Sequence, residues 1–473
     1  MSIWILIIIV LHVLGILTAI KAVLETRTSQ GAIAWVISLI TFPYIALPAY
    51  WILGRSRFKG YSTAKQVKDE KIEKWFSALF EGVEAYTVPS SLSSGADVAT
   101  EKLASLPMLR ANSIDLLIDG DATFNSILEG LGNARSYILF QFFIIKDDEI
   151  GQKVKEALIA KALDGIEVYF LYDEIGSHAL SPTYLKALEE AGVKVYAFHT
   201  QKGIFNRFQI NFRNHRKVVV VDRKYAWIGG HNVGDEYLGR SKKFGHWRDT
   251  HIRIEGPSVL AAQLSFAEDW HWATDQKLKE LNWSAHHSEK ADQQALIVPS
   301  GPADRLETAT LMFLHAINSS HQRIWIASPY FVPDDAILSA LQLAVLRGVD
   351  VRILIPDKPD HLLVFLTAYT YFEEVAQTGV RFFRYTDGFL HEKVMLIDED
   401  VSTVGTANFD NRSFRLNFEI TGIVKDRDFA SGIEKMFIDD FSHSREMTRE
   451  DISSMSFGFR LATRFARLTA PIQ

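Results

Sequence analysis

Two stretches of this chain, about 180 residues apart, carry the same residues in the same order, and this constrains the fold more than any other feature. The segment opening Arg135-Ser-Tyr-Ile-Leu-Phe, with Asp147 and Asp148 after it, is matched by Arg323-Ile-Trp-Ile-Ala, with Asp334 and Asp335 after it. The segment from Gly165 to Asp173 is matched from Gly348 to Asp357, and Gly192-Val-Lys-Val-Tyr is matched by Gly379-Val-Arg-Phe-Phe. In each block a helix ends at a glycine and a short β-branched or aromatic strand begins. The period is that of a domain, so the expectation is a duplicated α/β unit and not a solenoid. With 473 residues, the chain has room for two such units and more.

Both copies hold one constellation. The first is His215-x-Lys217-x4-Asp222, followed by Gly229, Gly230 and Asn232. The second is His391-x-Lys393-x4-Asp398, followed by Gly405, Thr406 and Asn408 at the same spacing. Chance would produce H-x-K-x4-D about 0.04 times in this composition, so two copies at matching places are not coincidence. In a strand, His and Lys two apart share a face. Gly229 and Gly405 let the backbone approach a ligand or turn sharply, and Asn232 and Asn408 add amide donors. A His, a Lys and an Asn together make a phosphate site with its own nucleophile. Two copies around one phosphorus supply a nucleophile, a general acid and two cations that stabilise equatorial oxygens. Asp222 and Asp398 fall at the far end of the strand and brace the fold by hydrogen bonds. Asp249 follows His215 by 34 residues, and Glu419 follows His391 by 28. Each is either the carboxylate that orients an imidazole or an ordinary strand residue.

Composition removes several classes. There is no cysteine, which excludes disulfides, thiolate metal sites and cysteine catalysis. The net charge of −6 argues against nucleic acid as a partner. No Walker loop or metal-binding carboxylate set is present, so neither metal nor other cofactor is called for. The adjacent His286 and His287 read as a solvated loop and not as metal ligands.

The first 54 residues are almost purely apolar. The runs from Ile3 to Ile20 and from Gly31 to Gly54 are each long enough to cross about 30 Å of hydrocarbon as a helix. Pro43 and Pro48 would kink the second without forbidding it. A signal peptide fits poorly, because no basic residue precedes the first run and a second follows. Arg55, Arg57, Lys59 and Lys65 outnumber Lys21 and Arg27. The positive-inside rule then puts the 21–30 linker outside and everything after residue 55 in the cytoplasm, with the first basic residues near anionic headgroups.

The motifs are similar to those of the phospholipase D superfamily. The wider match is to bacterial cardiolipin synthases of the phospholipase D type, through Asn211–Lys217, Ile228–Tyr237, Ser328–Asp334, Gly388–Lys393, Gly405–Asp410 and Ala466–Leu468. The resemblance implies two mixed-sheet α/β lobes related by a pseudo-two-fold axis, with the active site between them. It implies His215, Lys217, Asp222, His391, Lys393 and Asp398 as the catalytic motifs, and Lys217, Asn232, Lys393 and Asn408 as phosphate ligands. Asp249 and Glu419 stay candidates for the carboxylates behind the histidines. The implied reaction joins two phosphatidylglycerol molecules into cardiolipin and glycerol through a phosphatidyl-histidine at His215, in a multi-pass protein of the bacterial cell membrane. Rival readings are a lipid hydrolase, a synthase with phosphatidylethanolamine as donor, a nuclease of the same superfamily, and a membrane-anchored lipid-binding scaffold with a dead site.

The expected organisation is a two-helix membrane hairpin (1–58), a juxtamembrane segment (59–110), a first lobe (111–273), a polar linker (274–294) and a second lobe (295–473). The first lobe carries an extra loop around residues 200–211. The second ends in a short basic amphipathic helix. There, Arg460, Arg464 and Arg467 share a face beside Leu461, Phe465 and Leu468, which suits either anionic lipid or packing on the domain.

Overall fold

The computed structural model describes residues 3–54, 70–89, 95–198, 211–276, 278, 281–448, 450–451 and 454–473. Arg55, Arg57, Lys59, Lys65 and nearly all of the extra loop before Asn211 lie outside the described residues.

The first copy contributes β1 (Leu109–Ile118), β2 (Tyr137–Phe142), β3 (Glu167–Asp173), β4 (Lys194–Phe198), β5 (Arg213–Asn214), β6 (Val218–Val221), β7 (Tyr225–Gly229), β8 (Trp247–Arg248) and β9 (Thr250–Glu255). The second contributes β10 (Gln293–Ser300), β11 (Arg323–Ala327), β12 (Phe331–Val332), β13 (Asp350–Pro356), β14 (Arg381–Tyr385), β15 (Phe389–Leu390), β16 (Val394–Ile397), β17 (Val401–Gly405), β18 (Phe409–Asp410), β19 (Asn417–Lys425) and β20 (Ser444–Glu446). Most join in one mixed sheet, ordered β20-β14-β13-β11-β16-β17-β19-β10-β1-β9-β7-β6-β2-β3-β4. Outward from its centre the first copy runs β1-β9-β7-β6-β2-β3-β4, and the second β10-β19-β17-β16-β11-β13-β14, the same order of equivalent strands. The copies meet where β1 and β10 pair antiparallel, Leu109 opposite Ala295 and Asn112 opposite Gln293, with a bulge between. Asn112 is buried at this seam and donates to the carbonyls of Leu109 and Gln293.

Helices cover both faces, so the inner strands are apolar on both sides. Val218–Val221 is buried at every position, as a continuous β-branched run demands. The 281–292 stretch lies along the first copy: Asn282 accepts from Gln263, His286 stands 3.6 Å from Glu255, and His287 stacks on Tyr86.

The apolar N-terminus departs from the expected hairpin. Helix α1 (Ile3–Glu25) is the one helix among the described residues that is long and apolar enough to cross a membrane. The second run is two helices, α2 (Ser29–Thr41) and α3 (Pro43–Leu53). At 1.5 Å per residue these reach about 20 and 17 Å, short of a 30 Å core. The break falls at Phe42, with φ −132° and ψ 57°. Pro43 lacks an amide hydrogen and its ring disfavours helix at the residue before it, so it starts a new helix. Helix α3 then doubles back along α2. The rings of Trp35 and Tyr50 meet at 5.2 Å, and Lys21 lies 5.4 Å over the Trp51 ring. The bend packs halfway along α1, with His12 and Tyr44 rings 6.0 Å apart.

Both ends of this α2–α3 turn reach the body built from the two copies. Arg27 pairs with Glu307 at 2.8 Å, and Asn211 donates to the Ile52 carbonyl at 2.7 Å. Arg27 of the linker thus contacts the body that holds both motifs, which does not fit the expectation that linker and lobes sit on opposite sides of a membrane.

Candidate active site

Each motif histidine follows a two-residue strand that pairs with the other copy. Strand β5 runs parallel to the start of β19, and β15 runs parallel to β8. The pairing ends with the His215 amide donating to the Phe418 carbonyl at 2.9 Å, and the His391 amide donating to Arg248 at 2.7 Å. The next residue on each partner strand is a carboxylate, Glu419 or Asp249. The carboxylates are thus crossed between copies. His215 Nδ1 lies 2.9 Å from Glu419 Oε2, and His391 Nδ1 lies 2.7 Å from Asp249 Oδ2. All four side chains are buried.

The two motifs face one site. The charge of Lys393 acts on His215, and those of His215 and Lys217 act on His391. Burial pushes His215 down to about 4 against the pull of Glu419. Burial, then Lys393 and Lys217, hold His391 well below its ordinary value. Both imidazoles are therefore neutral near pH 7. With Nδ1–H donated to a carboxylate, Nε2 keeps its lone pair for chemistry. Burial would raise Glu419, but His215, Lys217 and the Thr406 hydroxyl, which donates at 2.6 Å, outweigh it and keep the carboxylate ionised.

Lys217 donates to the His215 carbonyl at 2.8 Å, and Lys393 donates to the His391 carbonyl. Burial lowers Lys217 to about 7 and Lys393 to about 8. Near pH 7 Lys217 is therefore about half charged and Lys393 mostly charged, and an arriving anion draws both to full charge. Asn232 is oriented by accepting from the Ile144 amide at 3.2 Å. The Asn408 side-chain oxygen is buried with no protein partner among the described residues.

Asp222 and Asp398 are motif members with a different job. Asp222 lies about 15 Å along β6 from Lys217. It accepts from the amides of Arg135, Ser136 and Tyr137 at 2.7, 2.7 and 3.0 Å. Asp398 does the same for His321, Gln322 and Arg323 at 3.0, 2.7 and 3.1 Å. Each closes the turn before the central strand of its copy, and the structure brings neither to the histidines.

The glycines also serve the fold, which corrects the expectation of a ligand contact or sharp turn. A Cβ at Gly229 would stand 2.5 Å from the His251 Cα, and one at Gly405 would stand 2.6 Å from the Ile420 carbonyl oxygen. Strand β9 or β19 approaches there, not a ligand. The tightest place is Gly230, where a Cβ would fall 1.9 Å from Asp249 Oδ1. The second copy has Thr406 there, and its hydroxyl holds Glu419.

Sequence reasoning missed the residues between His and Lys. Strand alternation turns them to the opposite, buried face. Arg216 pairs with Asp269 at 2.7 Å and donates to the Glu419 carbonyl at 3.0 Å. Glu392 pairs with Arg248 at 2.9 Å and accepts from Thr250 at 2.8 Å. Alternation predicts the direction, but no local signal names the partners. Phe143 packs edge-on to His215 at 4.9 Å, and Trp247 lies 5.2 Å from His391. A cavity of about 1050 Å³ lies elsewhere, at the Asp222 end of the first copy beside Arg135, Arg223 and Lys224.

Residues 127–269 and 313–441 match the family described as cardiolipin synthase, phospholipase D-like domain. The chain belongs to this family. Each matched segment holds one His–Lys motif and one of the crossed carboxylates. Cardiolipin synthase A of Pseudomonas putida (strain W619) is 49% identical over 464 residues, covering 98% of this chain and 96% of that protein. Cardiolipin synthase A of Pseudomonas fluorescens (strain SBW25) is 48% identical over 465 residues, covering 98% and 97%. The solved phosphatidylserine synthase of Haemophilus influenzae Rd KW20 covers 80% of this chain and 100% of its own, with a TM-score of 0.59 and 16% identity, a likeness of fold.

Proposed function

We propose that this chain is a membrane-bound phosphatidyltransferase that condenses two phosphatidylglycerol molecules into cardiolipin and glycerol. One observation carries the reading. Two neutral histidines, one from each copy, are locked through Nδ1 to crossed carboxylates beside two buried lysines. The full-length likeness to proteins named cardiolipin synthase A supplies the lipid.

His215 Nε2 attacks the phosphorus of the first phosphatidylglycerol. The bond to the headgroup glycerol breaks, and its oxygen takes a proton from His391. That proton must first load onto His391, and the bound phosphodiester's negative charge favours this. Lys217, Lys393, Asn232 and Asn408 hold the non-bridging oxygens as charge builds. The phosphatidyl group now rests on His215. The terminal hydroxyl of a second phosphatidylglycerol gives its proton to His391 and attacks phosphorus, and the P–N bond breaks. One phosphodiester replaces another, so atoms and charge balance without nucleotide.

The two lobes, 111–273 and 295–473 with the 274–294 linker, are read as halves of a pseudo-two-fold unit because their strand orders coincide. Helix α1 is read as a single span, with α2–α3 entering the bilayer and returning. With the linker's Arg27 held against the lobes, the positive-inside rule turns the lobes to the cytoplasm.

The test is lipid mass spectrometry of the purified protein with phosphatidylglycerol vesicles, without added nucleotide. Cardiolipin and glycerol in equal amounts are expected. Phosphatidic acid alone would replace this reading with a hydrolase, and product only with phosphatidylethanolamine present would change the donor.

The pH profile follows from the lysines. The charged form binds phosphate, and both pKa values are lowered, to about 7 and 8. Substrate binding above pH 7 therefore takes up protons, and the two lysines together are expected to lower kcat/KM about tenfold per unit between pH 7 and 8 and about a hundredfold per unit above pH 8. The acid limb is expected near pH 4, where His215 takes a proton. A profile flat to pH 9.5 would remove the lysines from phosphate binding.

A further inference from the structure

We propose that the C-terminal helix Phe457–Arg467, together with the first turn of the helix Leu362–Ala376, is a second membrane contact that lies in the headgroup–acyl boundary on the active-site side of the second lobe. This rests on the membrane reading above and extends it to a surface of the second lobe.

The C-terminal helix has two unlike sides. Thr463 and Ala466 are buried, and Phe459 packs edge-on to Tyr369 at 5.1 Å. The arginines face the same neighbour: Arg460 and Arg464 pair with Glu373 at 3.6 and 2.8 Å, and Arg467 pairs with Glu374 at 3.2 Å. The basic face is thus paired with the domain's acidic residues, although Arg460 and Arg464 stay about half exposed. The opposite side carries Phe457, Leu461, Phe465 and Leu468, which are 82, 48, 64 and 75% exposed. Gly458 and Ala462 lie exposed between them, so the side holds no charge. Leu362 and Leu363, at the start of the neighbouring helix, are 66 and 47% exposed. Exposed apolar side chains gathered on one helix face, with two more at the start of the helix it packs on, mark a contact surface.

The bilayer is the occupant because the patch joins the membrane segment. The Gln473 carbonyl, five residues past Leu468, accepts from the Arg412 amide at 2.6 Å. Arg412 donates to the Asn211 carbonyl at 2.6 Å, and Asn211 donates to the Ile52 carbonyl at 2.7 Å. Ile52 lies in the last turn of α3. The helix is thus tied to the place where the apolar segment meets the lobes. At its other border, Leu362 follows Asp360 and His361, whose charges act on Lys393 and His391. An apolar rim from the membrane segment to the catalytic site lets a lipid present its phosphate while its acyl chains stay in the bilayer. Because Glu373 and Glu374 occupy the arginines, the contact is expected to form on neutral lipid as well as anionic lipid.

The chain contains no cysteine, so single sites can be labelled in the full-length protein. Leu461→Cys, Phe465→Cys and, as a control, Lys186→Cys would carry a nitroxide in phosphatidylcholine vesicles. Lys186 has a side chain 73% exposed. Labels at 461 and 465 are expected to respond to oxygen and be shielded from an aqueous nickel chelate, with the reverse at 186. Nickel access at all three sites would overturn the proposal. Shielding of 461 and 465 from both reagents would also overturn it, since a protein and not a bilayer would then cover the face. In a second arm, Leu461→Glu combined with Phe465→Glu is expected to lower turnover of vesicle lipid about tenfold, and to leave turnover of short-chain lipid in detergent micelles within about twofold. Equal loss in both would place these residues in folding and overturn the surface role. If the unaltered protein makes no cardiolipin, the proposed reaction fails, and the nitroxide result still decides this contact.

Discussion

Replacing His215 by alanine is expected to abolish cardiolipin formation, with a loss of at least about 10⁴-fold, because no other group at phosphorus replaces a covalent nucleophile. The surroundings of the imidazole support the proposed attack. Burial keeps it neutral, with its pKa near 4, and Glu419 holds the Nδ1 proton, so Nε2 stays unprotonated throughout the neutral range. The same replacement at His391 is expected to stop turnover for another reason, since glycerol is a poor leaving group and needs a proton. The two are separated by a phosphatidyl donor with a good leaving group, such as a nitrophenyl ester. His391→Ala should then still form the phosphatidyl adduct, seen as a mass increase of the intact protein, and His215→Ala should form none. Adduct on His215→Ala and none on His391→Ala would exchange the two roles.

Replacing Glu419 by glutamine is expected to slow the reaction about 10²–10⁴-fold, as loss of the carboxylate behind a catalytic imidazole does elsewhere. Glutamine can donate to Nδ1, which selects the tautomer with Nε2 protonated and blocks attack. The crossed geometry makes the phenotype specific. Glu419 comes from the second copy, yet it serves His215 of the first, so Glu419→Gln should suppress adduct formation even with the good leaving group. Asp249→Asn should preserve the adduct with that donor and lose turnover of phosphatidylglycerol, because Asp249 serves His391. Circular dichroism on both variants would show that the fold is retained. The reverse pattern, with Asp249→Asn blocking the adduct, would show that each copy supports its own histidine during catalysis.

The pattern of legibility has a physical origin. Val218–Val221 was recognisable as a central strand because a strand buried on both faces must be apolar at every position. The role of Asp222 was legible for a similar reason: it sits one residue past that strand, at a turn whose open amides need an acceptor. The apolar N-terminal segment was half legible. Its hydrophobicity is local, but whether Pro43 kinks a helix or reverses it depends on what receives the returning chain. Here Trp35, Gly15 and Lys21 receive it. The glycines were misread because a missing side chain looks the same whether a ligand or a neighbouring strand fills the space.

From its sequence alone the chain is a duplicated α/β unit with two His–Lys motifs, two candidate supporting carboxylates and an apolar N-terminus. These rest on spacing, periodicity and composition, which are properties of neighbours along the chain. Only the tertiary structure decided which carboxylate serves which histidine, that Arg216 and Glu392 turn into buried ion pairs, that Arg27 pairs with Glu307 of the second copy, and that the C-terminal helix presents its apolar side. Each of these joins groups far apart in the chain, up to 204 residues for His215 and Glu419. Such partnerships follow from how β5 docks on β19 and β15 on β8, and a hydrogen bond across that distance leaves no local signature.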